Sequence, residues 1–181
     1  MKYTLIVFLL FFISGCASKT LEEGVNQMKL TSSAFSEGEK IPLQYTCDGK
    51  NMSPPLQMSN IPQGTQSLAL IMDDPDIPEA AKKQFNIQVW DHWIVFNIPP
   101  TTREIFEGIQ PQGMIGKNTR GNLTYTGPCP PDKEHRYFFK LYALNTMLSL
   151  SEGATKKELE TAMQGHILAQ AQLIGRYERQ R

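Results

Sequence analysis

A mainly β domain of two packed antiparallel sheets, with helices at its C-terminal end, is the fold class the sequence predicts. Three observations carry it. Short apolar and β-branched runs recur between turn signals. All 12 prolines lie at or before Pro131, so they punctuate the first part of the chain and leave the end free. The proline-free end carries apolar residues at helical spacing. The chain has 181 residues, 40% of them apolar, enough to bury the core of one globular domain. Its 18 basic and 18 acidic residues balance, which excludes the basic excess of a nucleic-acid binder. Three cysteines are too few for a disulfide-dense miniprotein.

The first residues are an address. Lys2 supplies a positive charge, an unbroken apolar run covers residues 5–12, and Ile13-Ser14-Gly15-Cys16 comes next. A charged start, a short apolar stretch and small residues at its end make a secretory signal. The run is too short to cross a bilayer, which needs about 20 apolar residues. Ile-Ser-Gly-Cys resembles the bacterial lipobox, in which the chain is cut before the cysteine and the thiol is acylated. The plainer alternative is an ordinary signal peptide with an incidental cysteine. By the same resemblance, Ala17 in place of Asp implies outer-membrane sorting in a Gram-negative cell. Removing 15 of the 181 residues leaves 166, and losing Lys2 leaves 17 basic against 18 acidic groups, a charge of −1. Acyl chains alone then suffice as a membrane anchor. Residues 16–29, with Cys16 lipidated, read as a polar tether, and 30–181 as the folded domain.

Strand-like runs are expected at 30–35, 43–47, 68–72, 89–98 and 137–144. Asp48-Gly49, Gln63-Gly64 and the stretch 97–100 are turns or strand ends. Thr155 with Glu158 has the capping-box form, and Leu159, Ala162, Met163, Ile167, Ile174 and Tyr177 continue at helical spacing. Gly165 divides that stretch into two helices.

Three segments concentrate chemistry. In the first, an apolar strand runs into Asp73, Asp74 and Asp76, framed by Pro75 and Pro78; a rigid element would place these carboxylates, though a solvated acidic turn reads the same way. In the second, from Val89 to Ile98, period two sets His92 on one face with Trp90, Ile94 and Phe96. A lone histidine in such a strand is commonly structural. In the third, a Gly/Pro loop from Gly127 to Pro131 precedes a strand that sets His135, Tyr137, Phe139 and Leu141 on one face. Gly127 and Cys129 can offer bare backbone amides, which prolines cannot. A turn before a buried strand is the plain alternative. Two of the three histidines thus sit beside unusual loops; His166 lies in the helical stretch and is read as structural or exposed.

Asp74-Pro75-Asp76-x-Pro78, His92-Trp93 and Gly127-Pro128-x-Pro130-Pro131 with His135-Arg136-Tyr137 together resemble the ligand-site motifs of the phosphatidylethanolamine-binding protein family. More narrowly they resemble its bacterial, Raf-kinase-inhibitor-like branch. Cys47-Asp48-Gly49, Asn51-x-Ser53-Pro54, Gly116-x-Asn118 through 121 and the ending 153–176 extend the likeness over about residues 30–178. The sequence departs from that branch at Met58, where a Trp is usual, and in a longer segment 79–88 placed to reshape the pocket rim. The resemblance implies a two-sheet β fold with an anion pocket holding Asp74, His92, His135 and Tyr137. The Gly127-Pro128 loop would stand at its mouth, with Asp76 and Pro78 supporting the acidic loop.

Imidazole and phenol donors with free amides suit a phosphate monoester or a phospholipid headgroup. Without Lys or Arg at the centre, affinity would depend on histidine charge and rise as pH falls from about 8 to 6. A rival reading makes Asp74 and the two histidines a metal site, or one histidine the base of a hydrolase. No Gly-x-Ser-x-Gly or His-Glu-x-x-His pattern accompanies it, and no cofactor or metal is expected. A third reading, implied by the resemblance, is modulation of a kinase or protease through the pocket rim. A protein partner or a homodimer would go with it. Cys47 and Cys129 are either an even pair for a bridge in an oxidising compartment or two free thiols.

Overall fold

The computed structural model describes residues 27–180. The expected signal peptide, the expected lipidation site Cys16 and most of the expected tether lie outside the described residues.

Among the described residues, eight strands form two antiparallel sheets. The smaller has the order β1-β2-β5, from β1 (Lys29–Thr31), β2 (Leu56–Ser59) and β5 (Glu104–Ile105). The larger has the order β6-β4-β3-β7-β8. Its strands are β3 (Ser67–Asp74), β4 (Trp90–Ile98), β6 (Met114–Ile115), β7 (His135–Leu144) and β8 (Ile167–Tyr177). Helix α1 (Glu79–Phe85) lies between β3 and β4, and α2 (Lys156–Met163) precedes β8.

Central strand β3 is buried at all eight positions. Its alternation divides the interior in two. Leu68, Leu70 and Met72 join Leu30, Leu56, Met58, Trp93, Val95, Phe139 and Leu141 between the sheets. Ala69 and Ile71 face the opposite way, onto Ile94, Phe96, Leu159 and Met163 under α2. The same alternation sends Asp74 toward the first face and Asp73 toward the second. There Lys140 and Lys156 hold the buried Asp73 carboxylate, and Lys156 also pairs with Asp91 at 3.2 Å. A buried carboxylate persists only when paired in this way. Met58 is buried in the main core.

Three expected elements differ. The run expected as a strand at 30–35 is strand only as far as Thr31, where β1 ends. Within 43–47, Leu43–Tyr45 form a 3-10 turn in place of a strand. The Leu43 carbonyl there accepts both the backbone N–H and the hydroxyl of Thr46, a local closure that competes with a strand. At the end of the chain α2 stops at Met163, and Gly165 turns the backbone at φ +77. The second expected helix is instead strand β8, paired with β7 from His135↔Tyr177 to Leu144↔Ile167. Leu173, Gly175 and Tyr177 are buried at alternate positions, the period of a strand. A side chain at Gly175 would strike Ile41, so this strand requires glycine there. The Thr155–Glu158 capping box is formed in both directions: Thr155 Oγ1 accepts from the Glu158 amide and Glu158 accepts from the Thr155 amide at 2.7 Å.

Candidate functional site

A cavity of about 380 Å³ opens where β3 ends and β4 and β7 begin. Asp74, His92, His135 and Tyr137 all line it, as do Gly127 and Pro78. Ile77, Ala81, Pro130 and Pro131 add apolar wall. The described residues thus bring the three chemistry-bearing segments to one end of the larger sheet.

A β-bulge sets His92. Met72 pairs with Trp93, but the next residue, Asp73, pairs with Asp91, leaving His92 as the extra residue on β4. The bulge reverses the expected alternation. His92 and Trp90 reach the cavity, while Ile94 and Phe96 face α2. The buried His92 ring places Nδ1 2.8 Å from the Thr126 carbonyl. A carbonyl only accepts, so Nδ1 carries the proton and Nε2 keeps a lone pair. Desolvation lowers the His92 pKa, against the opposing pull of the Thr126 hydrogen bond. His92 is therefore neutral near pH 7, and is an acceptor where the sequence suggested a donor.

His135 is the charged ring. Nδ1 donates to Asp74 Oδ2 at 2.7 Å and Nε2 to Asp132 Oδ1 at 2.8 Å. Burial alone would lower its pKa; the hydrogen bonds and charges of Asp74 and Asp132 outweigh that and raise it. Asp74 Oδ1 also accepts the amide of Asp76, which closes the turn leaving β3. Asp76 does not line the cavity. Its carboxylate takes a bidentate bond from the Arg136 guanidinium and accepts the Arg136 amide, tying the acidic loop to β7. Pro78 caps the start of α1.

Tyr137 is fully buried, edge-on to His92 with ring centroids 5.3 Å apart. Its hydroxyl makes no hydrogen bond of ordinary geometry, although the Cys129 amide lies beside it. Burial first, and the Asp74 charge second, push its pKa far above the usual phenol range. It is a permanent O–H donor.

The Gly/Pro loop departs from expectation. The Gly127 amide is not bare, since it donates to Asn51 Oδ1 at 2.7 Å. Pro128 does not line the cavity; its carbonyl accepts the Cys47 amide. A bond between Cys47 and Cys129 forms part of the wall. A side chain on Gly127 would strike the Tyr45 carbonyl, so glycine is required by this close approach.

Sequence reasoning passed over Asn51, Trp90, Arg120 and Asp132 as site residues. Three of these line the cavity, and Asp132 braces His135. Arg120 brings a guanidinium to a pocket expected to have none. Its place inside the 118–121 motif was the available signal.

Known proteins resemble this chain. A family model described as phosphatidylethanolamine-binding protein matches residues 31–178. A UPF0098 protein of Chlamydia trachomatis is 47% identical over 152 residues, spanning 84% of this chain and 99% of its own. A UPF0098 protein of Methanothermobacter thermautotrophicus is 47% identical over 158 residues, with coverage of 84% and 99%. The crystal structure of a C. trachomatis protein described as a phosphatidylethanolamine-binding protein homologue superposes with a TM-score of 0.82 at 47% identity. It covers 86% of this chain and 99% of that one. E. coli YbcL, described as a member of the mammalian family, gives 0.75 at 29% identity, with coverage of 85% and 99%.

Proposed function

Because the chain belongs to the phosphatidylethanolamine-binding protein family, in a branch with the UPF0098 proteins and YbcL, we propose that its cavity binds a small phosphate-bearing ligand, either a phosphate monoester or a phospholipid headgroup. The observation that carries this reading is the buried Tyr137 hydroxyl, a donor left without a normal partner in the cavity wall. Buried hydroxyls are rarely left so without a reason. His92 adds a lone pair for a protonated phosphate oxygen or an ammonium, and His135 adds charge. Affinity should fall as pH rises through the raised His135 value. A rise spread over pH 8 to 6, as the sequence alone suggested, would need His92 to protonate there.

Calorimetric titration with phosphorylethanolamine tests the reading. Tyr137→Phe should weaken binding about three- to tenfold. It should not lower the unfolding free energy, because phenylalanine leaves no buried hydroxyl unpaired. Equal affinity in the variant would remove Tyr137 as a contact. A metal or hydrolase role has less support. Both ring nitrogens of His135 already meet carboxylates, and Nδ1 of His92 meets a carbonyl.

The protein acts, in this proposal, as a cell-envelope lipoprotein anchored through acyl chains on Cys16. In a Gram-negative cell it faces the periplasm from the outer membrane. A protein partner at the pocket rim, or a second copy, is compatible with the same role. Cells grown with radiolabelled palmitate should label the wild-type chain and not Cys16→Ser; label retained in the variant would count against the anchor.

A further inference from the structure

We infer that Arg120 is the fixed cation of the cavity, the residue that engages the anionic group of the ligand, an inference that rests on the phosphate-binding reading above. Apart from Arg120, the charged groups lining the cavity are Asp74 and His135, which pair with each other. Asp74 and Asp132 flank a single imidazolium, and His92 offers a lone pair. The His135 charge is already met by two carboxylates, so an anion entering such a site gains from a second positive charge.

Arg120 lines the cavity and is exposed. Its guanidinium carbon stands 5.4 Å from the centre of the Trp90 ring, and Trp90 is braced edge-on by Phe85 of α1 at 5.0 Å. A cation on an aromatic face keeps its N–H edge available for a second partner. Lys140 and Lys156 are engaged by Asp73, Arg136 by Asp76 and Arg179 by Asp48. Among the described residues Arg120 forms no ion pair. Its planar fork suits the paired oxygens of a phosphate.

The backbone beneath it is built to hold that position. Buried Asn118 accepts the amides of Arg120 and Asn122 through Oδ1, each at 3.0 Å. Its Nδ2 donates to Thr126 Oγ1 at 2.9 Å, and the Thr126 carbonyl is the partner of His92 Nδ1. One side chain therefore fixes the turn bearing Arg120 and the loop segment that orients His92. A solvated surface arginine needs no such support.

Calorimetry on the mature chain tests this with three probes: inorganic phosphate, phosphorylethanolamine as a monoester, and glycerophosphorylethanolamine as a diester. Arg120→Gln should weaken every probe that the wild type binds by about tenfold or more, with the thermal midpoint unchanged. Arg120→Lys should recover part of the loss. A loss that includes the diester assigns a lipid headgroup, and one confined to the first two probes assigns a free phosphate or monoester. Wild-type affinity in Arg120→Gln, alongside weakened binding in Tyr137→Phe, would overturn the role of Arg120 and leave the pocket reading intact. So would a lowered midpoint with affinity unchanged. A wild type that binds none of the probes overturns the reading, and the inference with it.

Discussion

Replacing Cys47 and Cys129 together by serine is expected to lower the unfolding free energy by about 4.5 kcal/mol. The two residues are 82 apart in sequence. A cross-link over that span removes about this much chain entropy from the unfolded ensemble. The folded loops themselves should survive the change. The Cys47 amide still bonds the Pro128 carbonyl, Gly127 still bonds Asn51, and the Tyr125 hydroxyl still bonds the Tyr45 carbonyl. The loss should therefore appear as a lower urea midpoint together with a steeper m-value, since the unfolded variant exposes more surface. Reductant added to the wild type should reproduce it. A wild-type midpoint indifferent to reductant would mean that the bridge is not part of the native protein.

His135→Ala is the second large effect, an expected loss of about 3–5 kcal/mol. Side-chain exposures of 1% for His135 and 4% for Asp74 make theirs a buried pair. Removing one partner leaves the other charge buried and uncompensated. The variant should also change how stability depends on pH. The folded pKa of His135 is raised above the unfolded value of about 6.5. Its contribution is therefore complete below about pH 6.5 and is lost as pH rises through the folded value. His92 has the opposite sign. Its folded pKa is lowered, so the unfolded chain takes up the proton first, and stability falls as pH drops below about 6.5. Wild-type stability should peak near pH 6.5 on these two groups. Chemical denaturation across the range should show the alkaline decline removed in His135→Ala and the acid decline retained. An unchanged alkaline limb would assign that titration elsewhere.

Much of the scaffold was legible. Strands β3, β4 and β7 are written as apolar runs, and on β7 the expected alternation of His135, Tyr137, Phe139 and Leu141 is present. The end of the chain was not legible. Leu159, Ala162, Met163, Ile167, Ile174 and Tyr177 satisfy a helical spacing that continues past Gly165. Period alone could not distinguish this from a strand buried at Leu173, Gly175 and Tyr177. Pairing along the whole of β7 decided it. The face of His92 was lost for a related reason, since a bulge belongs to the register between two strands and to neither alone.

What the sequence by itself determined is which residues could carry chemistry and in what order: carboxylates at one strand end, a histidine in a second strand, a histidine and a tyrosine after a proline-rich loop. Tertiary structure alone decided which of their atoms are still free to use. Gly127 N–H, expected to be open, is taken by Asn51, and both nitrogens of His135 are taken by carboxylates. Among the described residues, the Tyr137 hydroxyl and the Arg120 guanidinium are donors left over in the cavity wall. The physical reason is that a buried polar group takes whatever partner lies within about 3 Å. Those partners come from chain positions that local sequence does not bring together, as Asp74 and His135 are 61 residues apart and Asn51 and Gly127 are 76.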